Sequence, residues 1–485
     1  MIPALASLAF MGCNGMGPVS ISPTPSPIKD PIPGPTTASN QWTWVSGSDV
    51  INQPGSYGTL GTPALGNVPG ARQEAVTWTD ATGDLWLFGG AAAPVGGGCN
   101  QYDPLCWAGT NSYFNDLWRF SSNEWTWMAG SDNTDQPGIY GIQGVAASVN
   151  SPGARYGAAG WRDLSGNHWL FGGTGYDSVG NVGPLNDLWK YSGGLWTWIG
   201  GSNLINQPGS YGTLGTAAPG NFPGARSNAV GSADASGNFW LFGGVGCDST
   251  ENCGGALNDL WKYSGGQWTW LSGTNISYPA QPGVFGTEGT PAPANHPGAR
   301  YSASGWMDAS GNLWIFGGIG YNLTYYNLAE LNDLWKYNAG QWTWVSGYNT
   351  LVDQIGIYGI QGTPASGNFP GSRDSSMSWT TPGGSLWLLG GEGFGSTWSG
   401  GTAPFFNDLW KLSGGVWTWV GGSGVGGQSG TYGTQGSPAA GNVPGSRLRG
   451  ASWTDAQGNL WLFGGYGFDS TGAQGYLNDL WEYQP

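Results

Sequence analysis

Arg300-Tyr-Ser-Ala-Ser-Gly-Trp306 is followed by Asp308-Ala-Ser-Gly-Asn312, Leu313-Trp-Ile-Phe-Gly-Gly318, Asn332-Asp-Leu-Trp-Lys-Tyr337 and Gln341-Trp-Thr-Trp-Val345. Four short aromatic-rich runs are thus separated by Gly, Asn and Asp, the pattern of strands joined by turns. In the last run Trp342 and Trp344 fall on one face and Thr343 on the other, as strand alternation requires. Between the first two runs Asp308 can cap the turn through its carboxylate, and Gly311 can take the positive φ that a tight turn needs.

The same order recurs along the chain. Asn-Asp-Leu-Trp begins at Asn115, Asn186, Asn258, Asn332, Asn407 and Asn478, at intervals of 71, 72, 74, 75 and 71 residues. Pro-Gly-(Ala/Ser)-Arg ends at Arg72, Arg155, Arg226, Arg300, Arg373 and Arg447, and Trp-Thr-Trp begins at Trp42, Trp125, Trp196, Trp268, Trp342 and Trp417. Repetition at a fixed long period marks an array of supersecondary units. One four-stranded sheet cannot bury both faces alone, whereas sheets stacked around an axis can. Trp42-Thr-Trp44 precedes the first complete unit, and Asp479-Leu-Trp-Glu-Tyr483 has no Trp-Thr-Trp run after it. The expectation is therefore an all-β, six-bladed β-propeller over residues 40–485, closed by the N-terminal strand, which completes the last four-stranded blade. The fifth copy departs at its first turn, where Thr381-Pro-Gly-Gly384 replaces the Asp-led turn.

Composition agrees with that class. The 485 residues include 92 Gly and 31 Trp, and only 9% are charged, against about 25% charged and about 7% Gly in an ordinary domain. A helical bundle needs Ala, Glu, Lys and Leu in bulk, and an aromatic content of 14% argues against disorder. The net charge is −15, with 14 Lys and Arg spread thinly. No basic stripe exists for nucleic acid, so no nucleic-acid partner is expected.

In element order the repeat resembles the kelch unit: a Gly-Gly doublet closing the second strand, a polar-aromatic third strand, then an outer strand bearing Trp. The resemblance covers residues 40–485, although kelch periods are usually about 50. The longer period comes from linkers of about two dozen residues, such as Gln207-Pro-Gly-Ser-Tyr-Gly-Thr-Leu-Gly-Thr216. They are expected to lie ordered on one face of the disc.

Resemblance to that group raises two enzyme types. Galactose-oxidase-like propellers hold copper with His and Tyr, but this chain has only His168 and His296. Kelch-like isomerases of sialic acid place acid/base residues at the propeller mouth. Charged residues that break the repeat are the candidates for such a site: Glu74, Arg162, Glu288, Glu330, Asp374, Glu392 and Arg449. No carboxylate pair stands out from their spacing, and no catalytic residue, cofactor or metal is assigned.

Two sets are candidates for ligand binding. Arg72, Arg155, Arg226, Arg300, Arg373 and Arg447 each begin the innermost strand, where a ring of guanidinium groups would favour carboxylate or sulfate. The opposing expectation pairs each with the Asp of Asn-Asp-Leu-Trp. Aromatic residues in the loops after the Gly-Gly doublets, Trp107, Tyr113, Tyr325, Tyr326 and Trp398, suit stacking on a sugar face or docking of a protein.

The N-terminus and the cysteines bear on location. Residues 1–13 resemble a bacterial lipoprotein signal, an apolar stretch ending at Cys13, and residues 14–39 read as a Pro-rich tether. Cys13 is the expected lipidation site and membrane attachment. Cys99 with Cys106, and Cys247 with Cys253, read as two local disulfides, which implies an oxidising compartment. The expected protein is an extracytoplasmic lipoprotein at the cell surface or in the periplasm, or a secreted protein. It would bind a glycan or a protein through loop aromatics. The alternatives are a carbohydrate-active enzyme and a self-associating surface protein.

Overall fold

The computed structural model describes residues 39–92, 112–323, 328–397 and 403–485. Among these residues there is no helix, and every strand pairing is antiparallel, in eight sheets. The fold is all-β and propeller-like. The fourth copy shows the unit plainly: an inner strand Ser304–Met307, a second strand Leu313–Gly320, a third Ala329–Asn338 and an outer strand Gln341–Ser346. A two-residue strand, Arg300–Tyr301, adds to the far end of the second. The other copies repeat this order. In the first and third, the far ends of the second and third strands split off as small separate sheets.

One expectation is corrected here. Arg300 to Trp306 was read as a single strand, but Ser302 has φ 54° and breaks it into two. The break recurs two residues after every repeated Arg, at Glu74, Gly157, Asn228, Ser375 and Arg449. The second and third strands also run beyond the Gly-Gly doublet and before the Asn, to Gly320 and from Ala329.

The first described strand, Gln41–Ser46, pairs with the last, Gln474–Gln484. Trp42 faces Tyr483, Trp44 faces Trp481, and the register shifts before Ser46. That register matches the fourth copy's continuous hairpin, where Trp342 faces Tyr337, Trp344 faces Trp335, and the shift precedes Ser346. Strands far apart in sequence therefore reproduce the pairing made elsewhere by neighbours.

The core lies between units. One large apolar cluster joins the first copy to the second through Val76, Phe88, Trp189 and Trp196. Others join the second to the third, the third to the fourth, the fourth to the fifth and the fifth to the sixth. Another holds Leu87, Trp118 and Trp125 of the first copy against Trp453, Phe463 and Leu480 of the last. Burial of large aromatic faces between sheets is the main stabilising term, worth about 1.5–3 kcal/mol per fully buried apolar side chain.

Gly-Gly is needed where adjacent units touch. Gly89 has φ 69°, and a Cβ there would lie 2.7 Å from the Arg155 carbonyl oxygen of the next unit. Gly464 of the last copy stands in the same relation to Arg72 of the first.

The linkers run in part along the free edge of each outer strand. Gly61 N donates to Trp127 O at 2.7 Å, and Gly144, Gly215, Gly289 and Gly362 make the equivalent bond. The last linker makes it from Gly436 to Trp44, on the N-terminal strand. Such cover occupies backbone groups that would otherwise form an open sheet edge. Cys247 and Cys253 are joined by a disulfide. Cys13, Cys99 and Cys106 lie outside the described residues, as do the signal and tether.

Candidate functional site

The six repeated arginines are all buried. Arg300 donates from Nη1 and Nη2 to the two carboxylate oxygens of Asp333 at 2.6 and 2.7 Å, from Nε to Gly298 O and from Nη1 to Gly317 O. The same Asp oxygen accepts from Trp335 Nε1 at 2.7 Å. Arg72–Asp116, Arg155–Asp187, Arg226–Asp259, Arg373–Asp408 and Arg447–Asp479 repeat the pair, with both side chains essentially inaccessible. Such pairs are tolerated in the interior only when every lone pair and proton is used. The guanidinium donors thus face protein acceptors, and a ligand anion there would have to displace a buried carboxylate.

Two residues after each arginine the chain makes its left-handed step, and there the units meet. Glu74 N donates to Arg449 O, Gly157 N to Glu74 O, Asn228 N to Gly157 O, Ser302 N to Asn228 O, Ser375 N to Ser302 O and Arg449 N to Ser375 O. These bonds, 2.8 to 3.1 Å long, make a circuit that returns to its start. The residues at this step, Glu74, Gly157, Asn228, Ser302, Ser375 and Arg449, do not repeat from unit to unit as the arginines do, so here the repeat stops being symmetric.

Glu74 and Arg449 are neighbours in the circuit and form an ion pair, Nε to Oε1, of 2.9 Å. Asp374, beside Ser375, is buried and accepts from Ser375 Oγ at 2.6 Å. Across its short strand Asp374 faces Glu392. Glu330, on the third strand of the fourth copy, is within electrostatic reach of Asp374, Glu392 and Asp353. Tyr156 stands within electrostatic reach of Glu74 and Arg449, and Tyr301 within reach of Asp374 and Arg449.

Burial disfavours the charged form of each of these acids. Burial, reinforced by Asp374, Glu392 and Asp353, pushes Glu330 up to about 9. Burial and the Asp374 charge push Glu392 up to about 7. Asp374 rises to about 6 through burial, with Ser375 and Arg449 opposing. Glu74 is raised by burial and held back by Arg449. For Arg449, burial works against the charge, and Glu74, Asp374 and Glu392 more than offset it. A strongly perturbed cluster at one place is the usual mark of a functional site.

Five of the seven symmetry-breaking residues read from the sequence therefore come together: Glu74, Glu330, Asp374, Glu392 and Arg449. Arg162 lies at the opposite end of an inner strand, paired in register with His168. Glu288 is exposed in a linker. His168 packs between Trp78 and Trp86, at ring distances of 5.3 and 4.8 Å, and His296, in the same linker as Glu288, contacts Pro297 O. The two histidines share no site, and no metal-ligand cluster occurs among the described residues. Tyr113 is buried against Tyr156 and Tyr176, at 5.0 and 5.9 Å. Trp107, Tyr325, Tyr326 and Trp398 lie outside the described residues. Sequence reading passed over the left-handed position itself, although the signal was present: five residue types over six positions at one fixed offset from an invariant Arg.

No family model matches the chain, and no curated protein matches it. Similar solved structures include one described as the structure of YjhT, at TM-score 0.45 and 13% identity, covering 87% of this chain and 95% of that one. A fungal alcohol oxidase of the AA5 family, in complex with copper, aligns at TM-score 0.44 and 14% identity over 89% of this chain and 76% of its own. A protein of unknown function from Dyadobacter fermentans aligns at TM-score 0.45 and 10% identity over 93% and 100%.

Proposed function

We propose that this chain is a six-bladed, kelch-like β-propeller, closed by its N-terminal strand, that binds a glycan or sugar at the mouth of its central axis. Supporting closure are the inter-unit core between the first and last copies, the matched register of Gln41–Ser46 on Gln474–Gln484, and the hydrogen-bond circuit. The observation that carries the binding role is the convergence of Glu74, Glu330, Asp374, Glu392 and Arg449 where the repeats otherwise agree. Residues repeated in every unit hold the fold, and residues that differ at one mouth are available to a ligand. Carboxyl, guanidinium and phenol groups match the hydroxyl-rich edge of a sugar, and a few convergent polar groups suffice to fix its orientation. The loop aromatics Trp107, Tyr325, Tyr326 and Trp398 extend this face in our reading. The expected setting is extracytoplasmic, with Cys13 as lipid anchor.

A carbohydrate-active enzyme is the second reading. It is favoured by Asp374 at about 6 and Glu392 at about 7, near the operating range that suits a general acid or base. A glycan array probed with the parent chain, Glu392→Gln, and Trp107→Ala with Trp398→Ala tests the proposal. Binding that falls at least about tenfold in Glu392→Gln, about 1.4 kcal/mol, supports the mouth. Binding lost only in the Trp pair moves the site to the loops, and an array without any bound glycan overturns the proposal. Incubating a bound sugar with parent and Glu392→Gln, followed by NMR, reads turnover.

A further inference from the structure

The fifth copy keeps the turn after its inner strand but lacks the turn's carboxylate. Thr381 N donates to Ser385 O and Gly384 N to Thr381 O, at 3.0 and 2.8 Å, as Asp308 N does to Asn312 O and Gly311 N to Asp308 O in the fourth copy. In the other five copies the Asp that opens this turn accepts from the indole Nε1 of the second-strand Trp at 2.8 to 2.9 Å. In the third, Lys262 also reaches that oxygen of Asp234, at 3.5 Å, from a position 4.9 Å over the Trp240 ring. Trp387 and Lys411 are the counterparts in the fifth copy, opposite each other on paired strands, with the ammonium 5.1 Å from the indole centroid. Thr381 is one bond too short to place an oxygen between them, and its hydroxyl turns to Ser385 O at 3.4 Å. Trp387 is 2% exposed, and its Nε1 is buried with no partner. Among the described residues Lys411 has no ion pair.

Both residues border open space. Trp387 and Lys411 line a groove of about 610 Å³ between the fifth copy and the last, which Tyr483 and Asn40 also line. A buried donor left without an acceptor costs free energy, and an ammonium beside it favours an acceptor that carries negative charge. We propose that this groove binds an acidic sugar, a hexuronate, whose carboxylate takes the place that the turn Asp holds in the other copies and accepts from Trp387 Nε1 and Lys411 Nζ. Lys411 is the one charged residue lining the groove, so it matches a ligand with a single carboxylate. Ser413, Thr418 and Asn40 line it with uncharged hydroxyl and carboxamide groups, which suit the hydroxyls of a sugar. Its volume falls within the range of about 300–1,000 Å³ usual for small-molecule sites, well beyond what a bare acetate fills. The site stands apart from the mouth: Ser375 of the hydrogen-bond circuit precedes the inner strand Met377–Thr380, and Thr381 follows it. Its failure would leave the reading of the mouth untouched.

Calorimetric titration of the full chain at pH 7 with galacturonate, galactose, acetate and inorganic phosphate tests the proposal. Galacturonate should bind at least about tenfold more tightly than galactose or acetate, and more weakly as salt rises. Thr381→Asp, which sets a tethered carboxylate on the same donors, should weaken galacturonate at least about tenfold, with a thermal midpoint no lower than the parent's to show that the variant folds. Lys411→Gln and Trp387→Phe should each weaken it at least about threefold. Lys336→Gln, in the copy that keeps Asp308, should leave it unchanged. Galacturonate bound equally by the parent and Thr381→Asp overturns the inference, as does galactose bound as tightly as galacturonate, or galacturonate not bound at all. Acetate bound as tightly as galacturonate, or phosphate bound more tightly, overturns the assignment of the ligand as an acidic sugar.

Discussion

At the residue scale, the departures from the repeat are more informative than the repeat. In five copies the indole Nε1 of the second-strand Trp donates to the Asp that opens the preceding turn, as Trp314 does to Asp308 at 2.8 Å. The fifth copy has Thr381 there, and Trp387 Nε1 is buried without a partner. Thr381→Asp should restore the acceptor and stabilise the chain by about 1 kcal/mol, read as a higher midpoint in thermal unfolding. Glu330 carries a second prediction. Its folded value, about 9, lies above the ordinary carboxyl value of 4.5. Between those limits the folded chain binds more protons than the unfolded one, so this residue's contribution falls as pH rises from about 4.5 to about 9. Glu330→Gln should match the parent near pH 4 and exceed its stability near pH 9, measured by urea unfolding at both. The repeated Arg and Asp could be paired on the sequence alone, because both recur in every unit at nearly constant separation. The partners of Glu330 could not, because its nearest acids come from the next copy and are brought close only by packing.

Elements show the same division. The strands and the Asp-led turns were legible from period-two aromatics and turn residues. The linkers were not, since their Gly- and Pro-rich composition gives no hint of which edge they cover. In the fold each linker sends a ring inward: Tyr57, Tyr140, Tyr211, Tyr358 and Tyr432 donate from the hydroxyl to the buried Asp of their unit at 2.6 to 2.7 Å. The fourth copy uses Phe285, which has no hydroxyl and packs its ring tilted against Trp335 at 4.8 Å. A linker is therefore anchored through the Arg–Asp pair as well as through its backbone. Tyr211→Phe should cost about 1.5–3 kcal/mol, the range for a hydrogen bond to a charged group, and the change in unfolding free energy checks it.

Across the whole molecule, the units are held mainly by contacts with neighbours, as expected of a repeat array. No single sheet encloses a core, so in the proposed closed ring stability would depend on the last unit meeting the first. The pairing of the first described strand with the last was legible in the order of the motifs, because Trp42-Thr-Trp44 stands apart from the rest of its unit. The acidic cluster was only half legible: its residues could be picked out as breaks in the repeat, while their meeting depends on packing between copies. Both the proposed binding site and the ion pair Glu74–Arg449, which spans the first and last copies, need the two ends joined. Hydrogen–deuterium exchange of the full chain, read by mass spectrometry on peptides covering Gln41–Ser46 and Gln341–Ser346, puts this to the test. Equal, strong protection of the two outer strands is the predicted result. Exchange of Gln41–Ser46 at the rate of an unpaired chain, with Gln341–Ser346 protected, would contradict it.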